Sequence, residues 1–147
     1  MPSESRLFLR TSLIALVLAF LWGAAMAAGE ALGIAPPSMW PVEHAHLAFV
    51  GWLVNLVIGI AWWMLPLNRD RFPETAGRYP RWAPPTVWIL LNAGLVARIA
   101  AEPALSFAVA RPVLIAGGVA QAAAIVLFAA CAWHRVRAPA RPAPGVR

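Results

Sequence analysis

Charged residues, cysteine and tyrosine are all scarce in this chain. Only 12% of its 147 residues are charged, against about 25% in soluble domains, which excludes an ordinary soluble globule. The one cysteine, Cys131, excludes an internal disulfide framework and a CxxC site. No nucleophile–base pair, phosphate loop or carboxylate dyad is recognisable. The sequence therefore assigns no reaction to this protein.

Apolar residues are abundant instead. They make up 61% of the chain, and the mean hydropathy is +0.69. A spanning helix needs about 20 predominantly apolar residues, and four stretches qualify, at about 11–29, 41–66, 85–101 and 112–134. The sequence predicts an all-α membrane protein with one four-helix transmembrane domain over 1–137. The Pro-, Arg- and Ala-rich segment 138–147 is predicted to be a disordered tail.

The placement of the arginines predicts the orientation of the spans. Basic residues are in excess on cytoplasmic segments, and ten of the twelve arginines lie before the first span, between the second and third, or after the fourth. Both termini should therefore be cytoplasmic, in the inner membrane of a bacterium. The net charge of +6 and the pI of 11.5 then reflect topology, so the expected environment is the lipid bilayer and no nucleic acid is implied.

The first span has a second interpretation. Arg6 and Arg10, an apolar run and the small residues Ala25-Met26-Ala27 are similar to a secretory signal with its cleavage site. Cleavage would leave three spans in the same orientation. We favour an uncleaved first span, because the apolar run is long for a signal.

Ionisable residues gather at the predicted outer end of the spans. Such residues are costly in a membrane and are functional hypotheses by default. Side chains two apart on a helix point about 200° apart, so His44 and His46 cannot chelate one ion from one face. We expect them to address two different neighbours; the alternative is a pair of interfacial histidines without a chemical role. The other members of the group are Glu30, Glu43, Arg98, Glu102 and Arg111.

Small and polar residues follow His44 at helical spacing. Gly51, Asn55 and Gly59 fall on its face, where glycine would let a flat ligand or another helix approach the backbone closely. Gly51 and Asn55 are therefore candidates for a ligand-facing stripe, and a helix-packing stripe is the alternative.

The second span resembles a helix of a known family. His44-Ala-His46, followed by Gly51, Gly59, Trp63 and Pro66, is similar to the second helix of the last four-helix unit of haem-copper oxidase subunit I. That subunit contains three such units around a pseudo-threefold axis, and its His-x-His pair ligates haem. The resemblance implies one third of that fold, haem b as the cofactor and His44 and His46 as axial ligands.

The chain also departs from the family. It has no second histidine-bearing helix, no His-His copper pair and no tyrosine near a histidine, since Tyr79 lies in a predicted inner loop. Oxygen reduction is therefore not expected of one chain. Three copies around a threefold axis would restore a bis-histidine site if His44 of one copy met His46 of the next. A six-coordinate haem of this kind suits electron transfer or sensing, with a possible periplasmic electron-transfer partner.

Three further residues receive roles from the haem hypothesis. Arg98 and Arg111 occupy places comparable to the family's propionate-binding arginines, and guanidinium groups bind carboxylates in charge-assisted pairs. The alternative for Arg98 is an ion pair with Glu102, one helical turn on. Met26 could supply a His/Met axial pair within one copy.

Three other functions compete with the haem hypothesis. The start of the second span is similar to the His-x-His motif of the NnrS family, haem- and copper-containing membrane proteins linked to nitric oxide stress, although Leu47 replaces the usual Glu. A copper or zinc module could use His44, His46 and Glu43 of several copies. A structural subunit of a respiratory complex would use its histidines only to meet headgroups.

Overall fold

Four long helices make up the protein in the computed structural model, which describes residues 1–136. The predicted tail, 138–147, lies outside the described residues. Each helix is long and apolar enough to cross a membrane, and residues 1–136 contain no strand. The predicted all-α architecture, with four helices long and apolar enough to span a membrane, is therefore confirmed. The helices are α1 (Ser3–Ala31), α2 (Trp40–Met64), α3 (Ala83–Ala101) and α4 (Ala110–Trp133).

The helix bounds differ from the predicted spans mainly at the start of α1. This helix begins at Ser3, so Arg6 and Arg10 lie on its first turns rather than before it. The prediction used a stretch without charges, and such a stretch marks only the apolar part of a helix. The helix itself continues beyond that stretch into residues that include charged ones. Short 3₁₀ turns over Pro73–Thr75 and Glu102–Ala104 lie in the second and third connections.

The helices run up and down in chain order. The first turns of α1 lie against the last turns of α2, where Phe8 meets Gly59, and the end of α1 lies against the start of α2, where Gly23 meets His44. One end of the bundle therefore carries the start of α1, the 65–82 connection and the end of α4. We call this the arginine-rich end and the opposite one the histidine end.

Glycine sets the distance between α3 and α4. A Cβ built on Gly94 would lie 2.7 Å from the backbone oxygen of Gly117, and a Cβ on Gly117 would lie 2.9 Å from the oxygen of Gly94. The two backbones approach more closely than any side chain permits, as small residues allow between membrane helices.

Replacing Gly94 by alanine should therefore push α3 and α4 apart. We expect Gly94→Ala to lose about 1–3 kcal/mol of stability, the usual cost of overpacking, seen as a lower thermal unfolding temperature in detergent. Gly118→Ala is the matched control, because no atom lies within 4 Å of its added Cβ. Equal unfolding temperatures for the two variants would contradict the close approach.

Arg135 closes the C-terminal end of α2. Its side chain is fully buried, and it donates hydrogen bonds to the backbone oxygens of Trp62 (3.2 Å), Pro66 (3.1 Å) and Leu65. The last carbonyls of a helix lack amide partners and carry partial negative charge. The guanidinium thus supplies the missing donors and ties the end of α4 to the end of α2.

Tyr79 packs beneath this arginine. Its ring lies 5.7 Å from the guanidinium carbon of Arg135 and makes an edge contact with Trp62 at 4.6 Å. Burial, followed by the negative charge of Glu4, raises the pKa of Tyr79 from 10.0 to about 12. The folded protein therefore keeps this hydroxyl protonated where an unfolded chain would ionise it.

This shift makes stability fall at high pH. Between pH of about 10 and about 12 the unfolded chain loses the phenol proton while the folded chain retains it, so unfolding is favoured as the pH rises. Thermal unfolding across this range should show a decline that Tyr79→Phe lacks. The chain has no lysine, and Cys131 is common to both proteins, so the difference isolates Tyr79. Parallel declines in both would refute the assignment.

Candidate functional site

The two histidines of α2 face different helices. A Cβ built on Gly23 of α1 would lie 3.1 Å from Cε1 of His44, so that ring packs closely against the α1 backbone. His46 instead faces α3, where its Nε2 lies 3.0 Å from Nη2 of Arg98. The rings diverge as residues two apart on a helix must.

His44 borders an apolar cavity of about 470 Å³ between α1 and α2. It is the one titratable side chain in a lining made of small and apolar residues, with Ala19, Ala24 and Ala27 from α1. Its Nδ1 is buried and has no hydrogen-bond partner. An imidazole that borders an apolar space is suited to an apolar ligand that offers it a proton acceptor, a donor or a metal.

The face of α2 that lines this cavity is not the predicted one. His44, Ala48 and Trp52 line it, whereas Gly51 and Asn55, the predicted ligand-facing stripe, point toward α1 and α3. Residues Leu47–Val54 form a π-helical segment, whose i→i+5 hydrogen bonds hold more residues per turn than an α-helix does. Because of this wide segment, α-helical spacing from His44 assigns the wrong residues to its face.

Asn55 has a structural partner instead. It exchanges side-chain hydrogen bonds with Asn92 of α3, at 3.0 and 3.2 Å, and also donates to the backbone oxygens of Val50 and Gly51. A carbonyl loses its amide partner where a π segment returns to α-helix, and an unpaired carbonyl in hydrocarbon costs several kcal/mol. Asn55 therefore compensates for the π segment and joins α2 to α3.

A polar cluster surrounds His46 at the histidine end. Arg98 donates to Oε1 of Glu102 from Nε at 3.2 Å and from Nη2 at 3.0 Å, and to Oε1 of Gln121 from Nη1 at 3.4 Å. The predicted alternative for Arg98, an ion pair with Glu102, is thus present. The cluster joins α2, α3 and α4, and Glu102 within it is only 7% exposed.

The contacts of His46 define its tautomer. A guanidinium can only donate, so Nε2 of His46 must accept from Arg98 and the ring proton sits on Nδ1. That nitrogen lies 3.2 Å from Oε2 of Glu102 without hydrogen-bond alignment, since both atoms are otherwise unpartnered. His46 therefore contacts residues of α3 and its extension through both ring nitrogens, and only Nε2 makes a hydrogen bond.

The polar cluster has spare hydrogen-bonding capacity. Glu43 is 3% exposed and interacts electrostatically with Glu102 and His46. Its Oε1, together with Nε2 of Gln121 and Oε2 of Glu102, is buried without a partner. Gln121 was not predicted as a site residue. The sequence offers only a weak indication of its role: Gln121 is the one amide in an otherwise apolar span, four residues after Gly117 on the face toward α3.

The remaining predicted residues lie apart from the two histidines. Arg111 and Glu30 are exposed, on the first turn of α4 and the last turn of α1. Met26 is partly buried on α1 but is not among the described residues that line the cavity at His44. Within 1–136, no three His, Cys, Asp or Glu side chains converge as they would around a metal ion.

Comparison with known proteins adds no relative. No family model, curated protein or solved structure matches the chain.

Replacing only one member of the Arg98–Glu102 pair should destabilise the bundle more than replacing both members. Glu102→Ala leaves a partly buried guanidinium without its carboxylate, and we expect a loss of about 2 kcal/mol or more in detergent unfolding. The double variant Arg98→Met/Glu102→Met should recover part of that loss, because no unpaired charge remains. Arg111→Met is the control and should change stability by less than about 0.5 kcal/mol. A double variant as unstable as the sum of the singles would contradict the pairing.

Proposed function

We propose that this protein is a haem-b-binding integral membrane protein that transfers electrons or senses redox state or a gas. The observation that carries the proposal is His44, the one titratable side chain that lines an apolar cavity of about 470 Å³. An imidazole nitrogen is the usual axial ligand of b-type haem, and the macrocycle needs an apolar surround. Haem would supply reversible one-electron chemistry at this end of the bundle.

The resemblance of α2 to a helix of haem-copper oxidase subunit I supports the same cofactor. It rests on His44-Ala-His46 and the glycines that follow. We place the histidine end on the periplasmic side of a bacterial inner membrane and both termini in the cytoplasm, because the arginine-rich end carries the positive excess of cytoplasmic segments. A periplasmic electron-transfer partner would then reach the haem from the outer side.

The two histidines are unequal candidates for the iron. The lone pair of His46 Nε2 already accepts from Arg98, so a metal bound there must replace that hydrogen bond. His44 has no such competitor. Within one copy, His44 is therefore the better-placed ligand.

A homotrimer remains our proposal for the second axial ligand. His44 of one copy and His46 of the next would ligate one haem from both sides, a closed heterologous arrangement. Exchange of His46 from Arg98 to the metal would free the guanidinium, which is suited to a haem propionate. Arg111, exposed at the same end, is a second propionate candidate. Met26 remains the alternative second ligand within a single copy.

The competing functions make different demands. A copper or zinc module must draw ligands from several copies, because the described residues bring no three such side chains together. An NnrS-like protein of nitric oxide stress would share the haem and the histidine pair. A structural subunit of a respiratory complex would bind neither haem nor metal.

The visible spectrum of the detergent-purified protein tests the proposal. We expect a Soret band and, on reduction, a sharp α band. His44→Ala and His46→Ala should each abolish them, because each removes an axial ligand from every site of the trimer. His134→Ala is the control, since His134 is exposed at the arginine-rich end, and it should keep the full spectrum.

Other results would overturn part or all of the haem proposal. Wild-type protein without haem but with stoichiometric copper or zinc would favour the metal module, and protein with neither would favour the structural subunit. An unchanged low-spin spectrum in His44→Ala would refute ligation by His44 altogether. An unchanged low-spin spectrum in His46→Ala would refute the trimer ring and favour Met26 as the second ligand of His44 within one copy.

A further inference from the structure

A second cavity, of about 540 Å³, lies at the arginine-rich end, far from His44 and His46. It opens between the first residues of α1 and the connection from α2 to α3. Glu4 and Glu74 contribute carboxylates to its lining, and Arg78 and Arg81 contribute guanidiniums. None of these four side chains is in an ion pair with another residue of 1–136. Opposite charges that share a cavity without pairing are suited to a ligand that carries both signs.

Tyr79 borders this cavity and a neighbouring one of about 310 Å³. It packs beneath Arg135, and its hydroxyl is buried without a hydrogen-bond partner. The phenol therefore forms part of the cavity wall, and the charged side chains supply the polar groups that a ligand can reach.

The start of α1 strengthens the case for an anionic group. Pro2 at the N-cap offers no side-chain hydrogen bond, and Ser3 and Glu4 line the cavity. The first N–H groups of a helix are unpaired donors at the positive end of its dipole, a favourable place for phosphate.

The position of the cavity at the ends of the spanning helices points to a lipid. Trp82, next to Arg81, is 57% exposed immediately before α3 and lines the neighbouring cavity with Phe72 and Pro80. Exposed tryptophan at a helix end is typical of the membrane–water interface. Apolar surface for acyl chains therefore adjoins the charged cavity.

We propose that this cavity binds one phosphatidylethanolamine molecule. The phosphate contacts Arg78, Arg81 and the first N–H groups of α1, and the ammonium contacts Glu4 and Glu74. Phosphatidylglycerol shares the phosphate but has no cation for the carboxylates. Phosphatidylcholine has a cation but no N–H donor, so its contacts with the carboxylates are weaker. This site does not depend on the proposed haem.

Native mass spectrometry of the full chain, with dioleoyl forms of these three lipids in turn, tests the proposal. We expect phosphatidylethanolamine to be retained preferentially. Arg81→Gln and Glu74→Gln should each weaken its retention about tenfold, the loss expected for one charge-assisted hydrogen bond. Both side chains are exposed, so both variants should keep the wild-type unfolding temperature. Arg69→Gln is the control, because it removes the same charge from the same connection outside the cavity lining, and it should bind as the wild type does.

Three results would overturn the site. Equal or tighter retention of phosphatidylglycerol would show that the arginines attract any lipid phosphate and that the carboxylates do not select the ammonium. An equal loss in Arg69→Gln would show that net charge, and not the cavity, controls binding. Unchanged retention in Glu74→Gln would exclude the ammonium contact.

Discussion

The structure depends on one constraint: a polar group placed among apolar helices must find its partner within the protein. Arg135 satisfies it by donating to the carbonyls that end α2, and Asn55 satisfies it by pairing with Asn92 and serving the π segment. Arg98 satisfies it through Glu102 on its own helix extension and through side chains of α2 and α4. Together these contacts join α2 to α3 and α4 at three levels of the bundle.

The same constraint separates the roles of the two histidines. His46 lies in the polar cluster, between the guanidinium of Arg98 and the carboxylate of Glu102. His44 lines an apolar cavity, and its buried Nδ1 has no hydrogen-bond partner. A ligand at the histidine end therefore meets one free imidazole and one that must first give up Arg98. In a haem site shared between copies, His46 would bind the metal only by giving up its hydrogen bond to Arg98. Ligation by His46 would therefore release the guanidinium of Arg98.

Sequence reasoning predicted the features that follow from hydrophobicity and helical geometry. Four apolar runs predicted four helices, and the spacing of His44 and His46 predicted two divergent rings. The π segment could not be predicted, because it depends on packing of α2 against α1 and α3 rather than on local composition, and it moved Gly51 and Asn55 off the His44 face. Likewise, the tertiary partners of Gln121 and Arg135 decide their roles, and a single sequence does not contain those pairings.

Haem b shared between copies at the histidine end is the function that we propose. It can be examined by native mass measurement of the protein, purified in mild detergent from haem-replete cells. We expect a mass of three chains with three haems, and loss of all three haems together in His44→Ala. A haem-free mass from the same cells would refute the proposal.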